Sequence, residues 1–369
     1  MSGYWICPDF IFDGTALVAG VSVRVEDGCV VGTSERIESN KVISGILSPG
    51  FVDLQVNGGG GMIVNNAPTI EAIGVISGAH RQYGTVAIMP TVITDAPEVL
   101  EAAAEAVMRC RGDDGIIGLH IEGPHIATAR RGTHDPKHIR RMDERTLNVV
   151  ERLREVGVPV MITLAPEAVT PKQIAQLTAM GAIVSLGHTD AKAEDVDAAI
   201  KAGASCATHL FNAMSPMQSR AAGAVGAILN AGIHAGIICD GYHVDDAMIR
   251  LALRACAKDD RLFIVSDAMA TVGGPDWFDL YGRQVRLEDG RLLNQEGTLA
   301  GAHLTQARGV ERLVGEIGVD LAHALRMAIS IPADVMGRPD LAQLMGRSLT
   351  DCLLLSPEGQ IIARADQLQ

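Results

Sequence analysis

Residues 183–214 read IVSLGHTDAKAEDVDAAIKAGASCATHLFNAM, and this stretch decides the fold. Ile183–Leu186 is a short apolar run that gives way to Gly187 and His188. From Asp190 the pattern turns helical, with Glu194 and Asp195 near its start and Lys201 near its end, the charge order a helix dipole favours. Gly203 stops that helix, and residues 206–208 lead into His209. Each histidine therefore follows a buried strand. In a strand–helix–strand unit with parallel strands, the two exits are neighbours at one edge of the sheet. Two neutral imidazoles held side by side by rigid elements suit a divalent metal. The alternative is two strand-end histidines, each satisfied by a local carbonyl.

The same grammar extends on both sides. Phe51–Val56 is an apolar run, residues 69–83 are helical up to Gly84, and residues 85–89 form a strand. Residues 97–111 make an alanine-rich helix, residues 116–121 a strand ending at Glu122, and residues 158–164 another. Thr170-Pro171 is a helix start, with proline at the first helical position. Strands over 234–239 and 262–265, with a helix over 244–257 between them, bring the apolar strands to eight. Such alternation predicts an α/β fold, a (β/α)8 barrel covered by helices, with a doubly wound open sheet as the structural alternative. The short alternating runs before Pro49 and over 351–365 predict a small β-sandwich built from both chain ends. The expected division is 1–49 and 339–369 for the sandwich and 50–338 for the barrel. Residues 283–301 look hairpin-like, followed by helices over 305–317 and 321–329.

Composition bounds the chemistry. The chain has 369 residues, 47% hydrophobic and 20% charged, enough for a large core and a smaller second unit. A net charge of -13 argues against a grip on nucleic acid. Seven scattered cysteines without a CxxC fit a reducing cytoplasm, and the first residues carry no signal-peptide pattern. Residues 221–239 lack Asp, Glu, Lys and Arg, but glycines divide them into an expected loop, turn and buried strand, not a membrane span.

In a (β/α)8 barrel the chemistry collects where strands end. Taken in order, the exits carry Gln55 and Asn57, Glu122, His188, His209, residues 240–243 and Asp267. One Glu and two His make a three-ligand zinc site with a position left for water, and Asp267 is the best-placed base. Taken singly, Glu122 could instead pair with Arg130 or Arg131, and Asp267 could cap a helix. His120 points the same way as Glu122 and is expected to orient a ligand. His125 and His138 are expected in loops or at the surface.

These residues fall in a recognisable series: SPGFVD (48–53), GLHIEGP (118–124), GTH (132–134), SLGH (185–188), THLFNAM (208–214), DGYH (240–243) and SDAM (266–269). In order and spacing the series resembles the N-acetylglucosamine-6-phosphate deacetylase family of the amidohydrolase superfamily. The resemblance implies that Glu122, His188 and His209 bind one divalent metal per subunit, zinc first, with Fe2+, Co2+ or Mn2+ as alternatives. It implies Asp267 as general base and then acid, and His134 as a stabiliser of the oxyanion. It implies that Asn212, Ala213, Arg220 and His243 hold a phosphorylated amino sugar, with Arg220 reaching the partner's site in a homodimer. Taken alone, Arg220 reads as a solvated loop charge.

Two places depart from the wider pattern. Many superfamily members carry His-x-His at the end of the first strand, where this chain has Gln55-Val56-Asn57. An amide is a poor zinc ligand beside imidazole, so a single metal is expected. In Gly301-Ala302-His303-Leu304-Thr305-Gln306 the family more often has Ser after the Gly and Met after the Thr. Competing functions are an amidohydrolase for another N-acyl amino sugar or a cyclic amide, and a non-catalytic scaffold. The cyclic-amide branch commonly has a lysine on the fourth strand, and VPVMITL has none. A scaffold should have lost its ligands or its base.

Overall fold

The computed structural model describes residues 3–35, 41–110 and 115–368. Eight parallel strands form one sheet in sequence order: β1 (Phe51–Val56), β2 (Thr85–Ile93), β3 (Leu119–Glu122), β4 (Val160–Leu164), β5 (Ile183–Leu186), β6 (Cys206–Ala207), β7 (His234–Ile237) and β8 (Leu262–Ile264). Their residues are almost all buried, as strands covered on both faces must be. The sheet closes on itself where β1 meets the segment after β8. Asp267 N donates to Gln55 O at 3.0 Å, and Asn57 N donates to Ala268 O at 2.9 Å. Below these bonds, side chains do the joining. Gln306 Nε2 donates to Val52 O (3.2 Å) and to Ile264 O (3.0 Å), while the Asp53 carboxylate accepts from Ser266 N at 3.2 Å. Burial pushes the Asp53 carboxyl up to about 7. The barrel expectation holds.

The two chain ends share one seven-stranded sheet. Cys352–Leu355 pairs antiparallel with Lys41–Pro49, Leu354 facing Leu47, and Lys41–Pro49 runs parallel to Tyr4–Phe12. A small core of Ile6, Val23, Val25, Leu47, Leu349 and Cys352 lies in this unit. After β8, four antiparallel strands from Trp277 to Ala302 form a separate sheet, the realised form of the hairpin-like stretch.

Three local expectations change. Strand β2 runs on through Pro90 to Ile93 rather than stopping at Met89, because the missing N–H falls where the ladder to β1 shifts register. The helix after β5 spans Ala193–Lys201. Before it, the Asp190 amide donates to Glu167 Oε1 and the Asp190 carboxylate pairs with Arg130 at 2.8 Å. Residues 223–231, read as loop and turn, form the helix Gly223–Ala231. Its two glycines lower its propensity, but Ala224, Val225, Ala227, Ile228 and Leu229 are buried, and Gly232 ends it at φ 60°. Among the described residues no helix is long and apolar enough to cross a membrane. Helix Pro97–Arg109 matches its expected start, while Arg111 lies outside the described residues.

Candidate active site

Glu122 ends β3, and His188 and His209 stand just beyond β5 and β6. Glu122 Oε1 lies 3.0 Å from His188 Nε2 and 2.9 Å from His209 Nε2, and the two nitrogens are 3.1 Å apart. Glu122 thus meets the two histidines and not Arg130 or Arg131. His188 Nδ1 donates to Arg130 O at 2.8 Å. A carbonyl only accepts, so in the neutral ring Nε2 keeps its lone pair and turns it on a carboxylate oxygen. Lone pairs facing each other at 3.0 Å repel unless a cation or a proton lies between them. The spacing is close to the roughly 3.4 Å between ligand atoms around a tetrahedral zinc with bonds of about 2.1 Å. The donor set fits a divalent metal. Burial alone would raise the Glu122 carboxyl, but His188 and His209 hold it well below the usual range. Burial pushes the His209 ring down, yet its bond to Glu122 prevails and raises it.

Asp267 follows β8, half-buried at the cleft and outside any helix cap. Its Oδ1 accepts from Asn57 Nδ2 at 2.6 Å and from Gln55 Nε2 at 3.1 Å. Gln55 Nε2 also donates to Glu122 Oε2 at 3.2 Å. The amides in the place of His-x-His therefore present N–H groups to two carboxylates, and an NH2 engaged as donor offers no lone pair to a metal. Burial, reinforced by the charge of Glu122, pushes the Asp267 carboxyl up to about 6. Among the described residues His188, His209, Phe211, Ala213 and Asp267 are five of nine non-glycine residues with positive φ. Left-handed backbone costs each about 1–2 kcal/mol, and such strain concentrates at sites that the surrounding fold holds in place.

His134 is buried, its ring centroid 4.3 Å from that of His188 and its Nδ1 2.7 Å from Thr94 Oγ1. Burial pushes its ring down to about 3. Ligand-capable atoms of Glu122, His134 and His188 lie within 4.8 Å of one another, so His134 competes with His209 as a third ligand. The three contacts of 2.9–3.1 Å among Glu122, His188 and His209 make the tighter group. His120 reaches no ligand directly. Its Nε2 lies 2.7 Å from Thr163 Oγ1, which lies 2.6 Å from Thr208 Oγ1, on the residue before His209. His125, expected in a loop or at the surface, is in a loop but buried, between Arg140 O and Thr146 Oγ1. His138 stands 3.5 Å from Asp95.

Above these groups opens a cleft of about 180 Å³, lined by Asn212, Ala213 and His243 as well as by Asp267 and the histidines. His243 Nδ1 donates to Asp240 Oδ2 at 2.6 Å, which fixes its ring. Among the described residues Asn212 Nδ2 is a buried donor without a partner, a vacancy a polar ligand would fill. Arg220 is not brought to this cleft. It sits on the exposed segment 216–222 and makes no ion pair among the described residues. The sequence pattern missed Thr94, since ending β2 at Met89 hid its exit. A continuous apolar run through Pro90 was the available signal.

Residues 46–342 match the amidohydrolase family. The chain is 41% identical over 355 residues to an N-acetylgalactosamine-6-phosphate deacetylase of a Shewanella species, covering 93% of this chain and 89% of that one. It is 33% identical over 324 residues to the N-acetylglucosamine-6-phosphate deacetylase of Haemophilus influenzae, covering 86% and 84%. The crystal structure of N-acetylglucosamine-6-phosphate deacetylase from Pasteurella multocida superposes with a TM-score of 0.90 at 31% identity, over 99% of this chain and 98% of that one. Fold, site and these likenesses agree: the chain belongs to the amidohydrolase family, among its deacetylases of N-acetylated amino-sugar 6-phosphates.

Proposed function

We propose that the chain hydrolyses the acetamide of N-acetylglucosamine 6-phosphate to glucosamine 6-phosphate and acetate. The observation that carries this is the meeting of Glu122, His188 and His209 beside the carboxylate of Asp267 in one cleft. Glu122, His188 and His209 would hold one divalent metal, zinc first, with Fe2+, Co2+ or Mn2+ as alternatives. When bound, such a metal lowers the pKa of a water and polarises a carbonyl. Asp267, held at Oδ1 by Asn57 and Gln55, takes a proton from the attacking water at Oδ2. A C–O bond forms at the acetamide carbon, the C–N bond breaks, and Asp267 returns the proton to the departing amine. His134 donates to the oxyanion. Asn212, Ala213 and His243 line the sugar end of the cleft. Arg220 takes the phosphate of the neighbouring subunit's substrate in a homodimer, for which its guanidinium is suited. The division into 1–49, 50–338 and 339–369 and a cytoplasmic location belong to the same reading.

A second substrate has its own support. The 41% identical relative is named for the galacto epimer, and the relatives at 33% for the gluco form. The experiment is amine release from both 6-phosphates beside unphosphorylated N-acetylglucosamine, with and without chelator pretreatment. Chelator-sensitive turnover of N-acetylglucosamine 6-phosphate alone supports the first reading. Preference for the galacto epimer replaces it with the second, and no turnover of any of the three by metal-loaded protein removes both.

A further inference from the structure

Thr94 stands at the exit of β2, 1% exposed, with one hydroxyl hydrogen and two acceptors within reach. Its Oγ1 is 2.7 Å from His134 Nδ1 and 3.5 Å from Glu122 O. The position is built for that hydroxyl. Gly123 has φ 83°, and a Cβ there would meet Thr94 Oγ1 at 2.2 Å. The glycine after Glu122 is therefore what allows Thr94 to reach both partners.

The destination of the single hydrogen decides the chemistry of His134. Given to Glu122 O, it leaves Thr94 accepting from Nδ1–H, and Nε2 becomes a lone pair suited to a metal. Given to His134 Nδ1, it makes Nε2 the N–H, which no metal can accept and which can donate to a developing oxyanion. A contact of 2.7 Å is a full hydrogen bond, whereas 3.5 Å is at the limit of one. We propose that Thr94 is a positioning residue that donates to His134 Nδ1 and so fixes His134 as an Nε2–H donor into the cleft, not a metal ligand. This rests on the role given to His134 under the proposed function. It adds the residue that sets that role, and it explains the close approach of Gly123 to Thr94.

The test uses zinc-loaded protein labelled with 15N at histidine, the His134 ring signals being assigned by their loss in His134→Asn. The expected spectrum has Nε2 protonated and Nδ1 unprotonated. The opposite tautomer, or a metal-coordinated Nε2, overturns the proposal without recourse to any Thr94 variant. Thr94→Val, similar in shape but unable to donate, should lower kcat on the order of 10–100-fold with little change in KM and full zinc content. Thr94→Ser should restore most of kcat. Equal behaviour of the Val and Ser variants, or zinc lost in step with activity, would overturn the assignment. If the unmutated protein shows the Nε2–H signal but deacetylates nothing, the functional reading fails while the role of Thr94 stands.

Discussion

Gln55 Nε2 lies 3.1 Å from Asp267 Oδ1 and 3.2 Å from Glu122 Oε2, so one amide at the exit of the first strand ties together the carboxylates of the cleft. Two ionised carboxylates facing one another in a buried cleft repel, and an NH2 group placed between them screens that repulsion without adding charge. It also leaves Asp267 Oδ2 as the oxygen free to exchange a proton.

Replacement of the base isolates its contribution. Asp267→Asn keeps the volume and removes the proton acceptor. Turnover should fall roughly 10²–10⁴-fold, the range of general-base effects, with metal content unchanged. Near-normal turnover in metal-loaded Asp267→Asn would strip Asp267 of the role.

The pH profile follows from the same residue. Burial and then the charge of Glu122 push Asp267 up to about 6, so as pH falls through that value the carboxylate gains a proton and stops acting as a base. A bound cation favours the carboxylate and moves the limb lower. The acid limb of kcat/KM is expected at pH 6 or below. A limb centred above pH 7 would contradict the assignment.

Metal removal separates ligands from neighbours. Chelated wild-type protein should regain activity when zinc is returned. His188→Ala should bind less than stoichiometric zinc by elemental analysis and remain inactive on reloading. Stoichiometric zinc in His188→Ala would move the third ligand to His134, the competing member of the cluster.

Among the described residues Arg220 makes no ion pair, and it does not line the cleft of its own chain. If it serves a neighbour, Arg220→Ala should raise KM for the phosphorylated sugar about 10–100-fold, the loss of one charged hydrogen bond, with kcat little changed. Mixing Arg220→Ala with Asp267→Asn chains should then regenerate sites with a normal KM, since one chain supplies the base and the other the guanidinium. No complementation, with KM unchanged, would return Arg220 to a solvated loop charge.

Much of this was legible in the chain because burial writes itself into sequence. Runs such as FVDLQV and IVSL are apolar because both faces of a barrel strand are covered, and their ends turn polar where the cleft begins. That rule pointed to Glu122, His188, His209 and Asp267, which the fold brings to one cleft. What stayed hidden depends on partners distant in sequence. Helix Gly223–Ala231 forms against its own glycines because packing outweighs propensity. The donors on Asp267 lie more than 200 residues away, and Thr94 meets His134 across 40 residues. Pro90 masked the continuation that would have exposed Thr94.

The seam between the first and last strands yields a prediction about stability rather than chemistry. Only a few backbone hydrogen bonds join β1 to the segment after β8, and Gln306 Nε2 supplies two more, to Val52 O and Ile264 O. Gln306 is 1% exposed, so its two bonds are made away from bulk water. Each orphaned carbonyl costs about 1–3 kcal/mol. Gln306→Ala should therefore lose about 2 kcal/mol or more in denaturant unfolding, while the folded fraction keeps its metal and its KM. A loss below about 0.5 kcal/mol, the scale of ordinary surface substitutions, would mean that the backbone bonds at the exit close the barrel unaided.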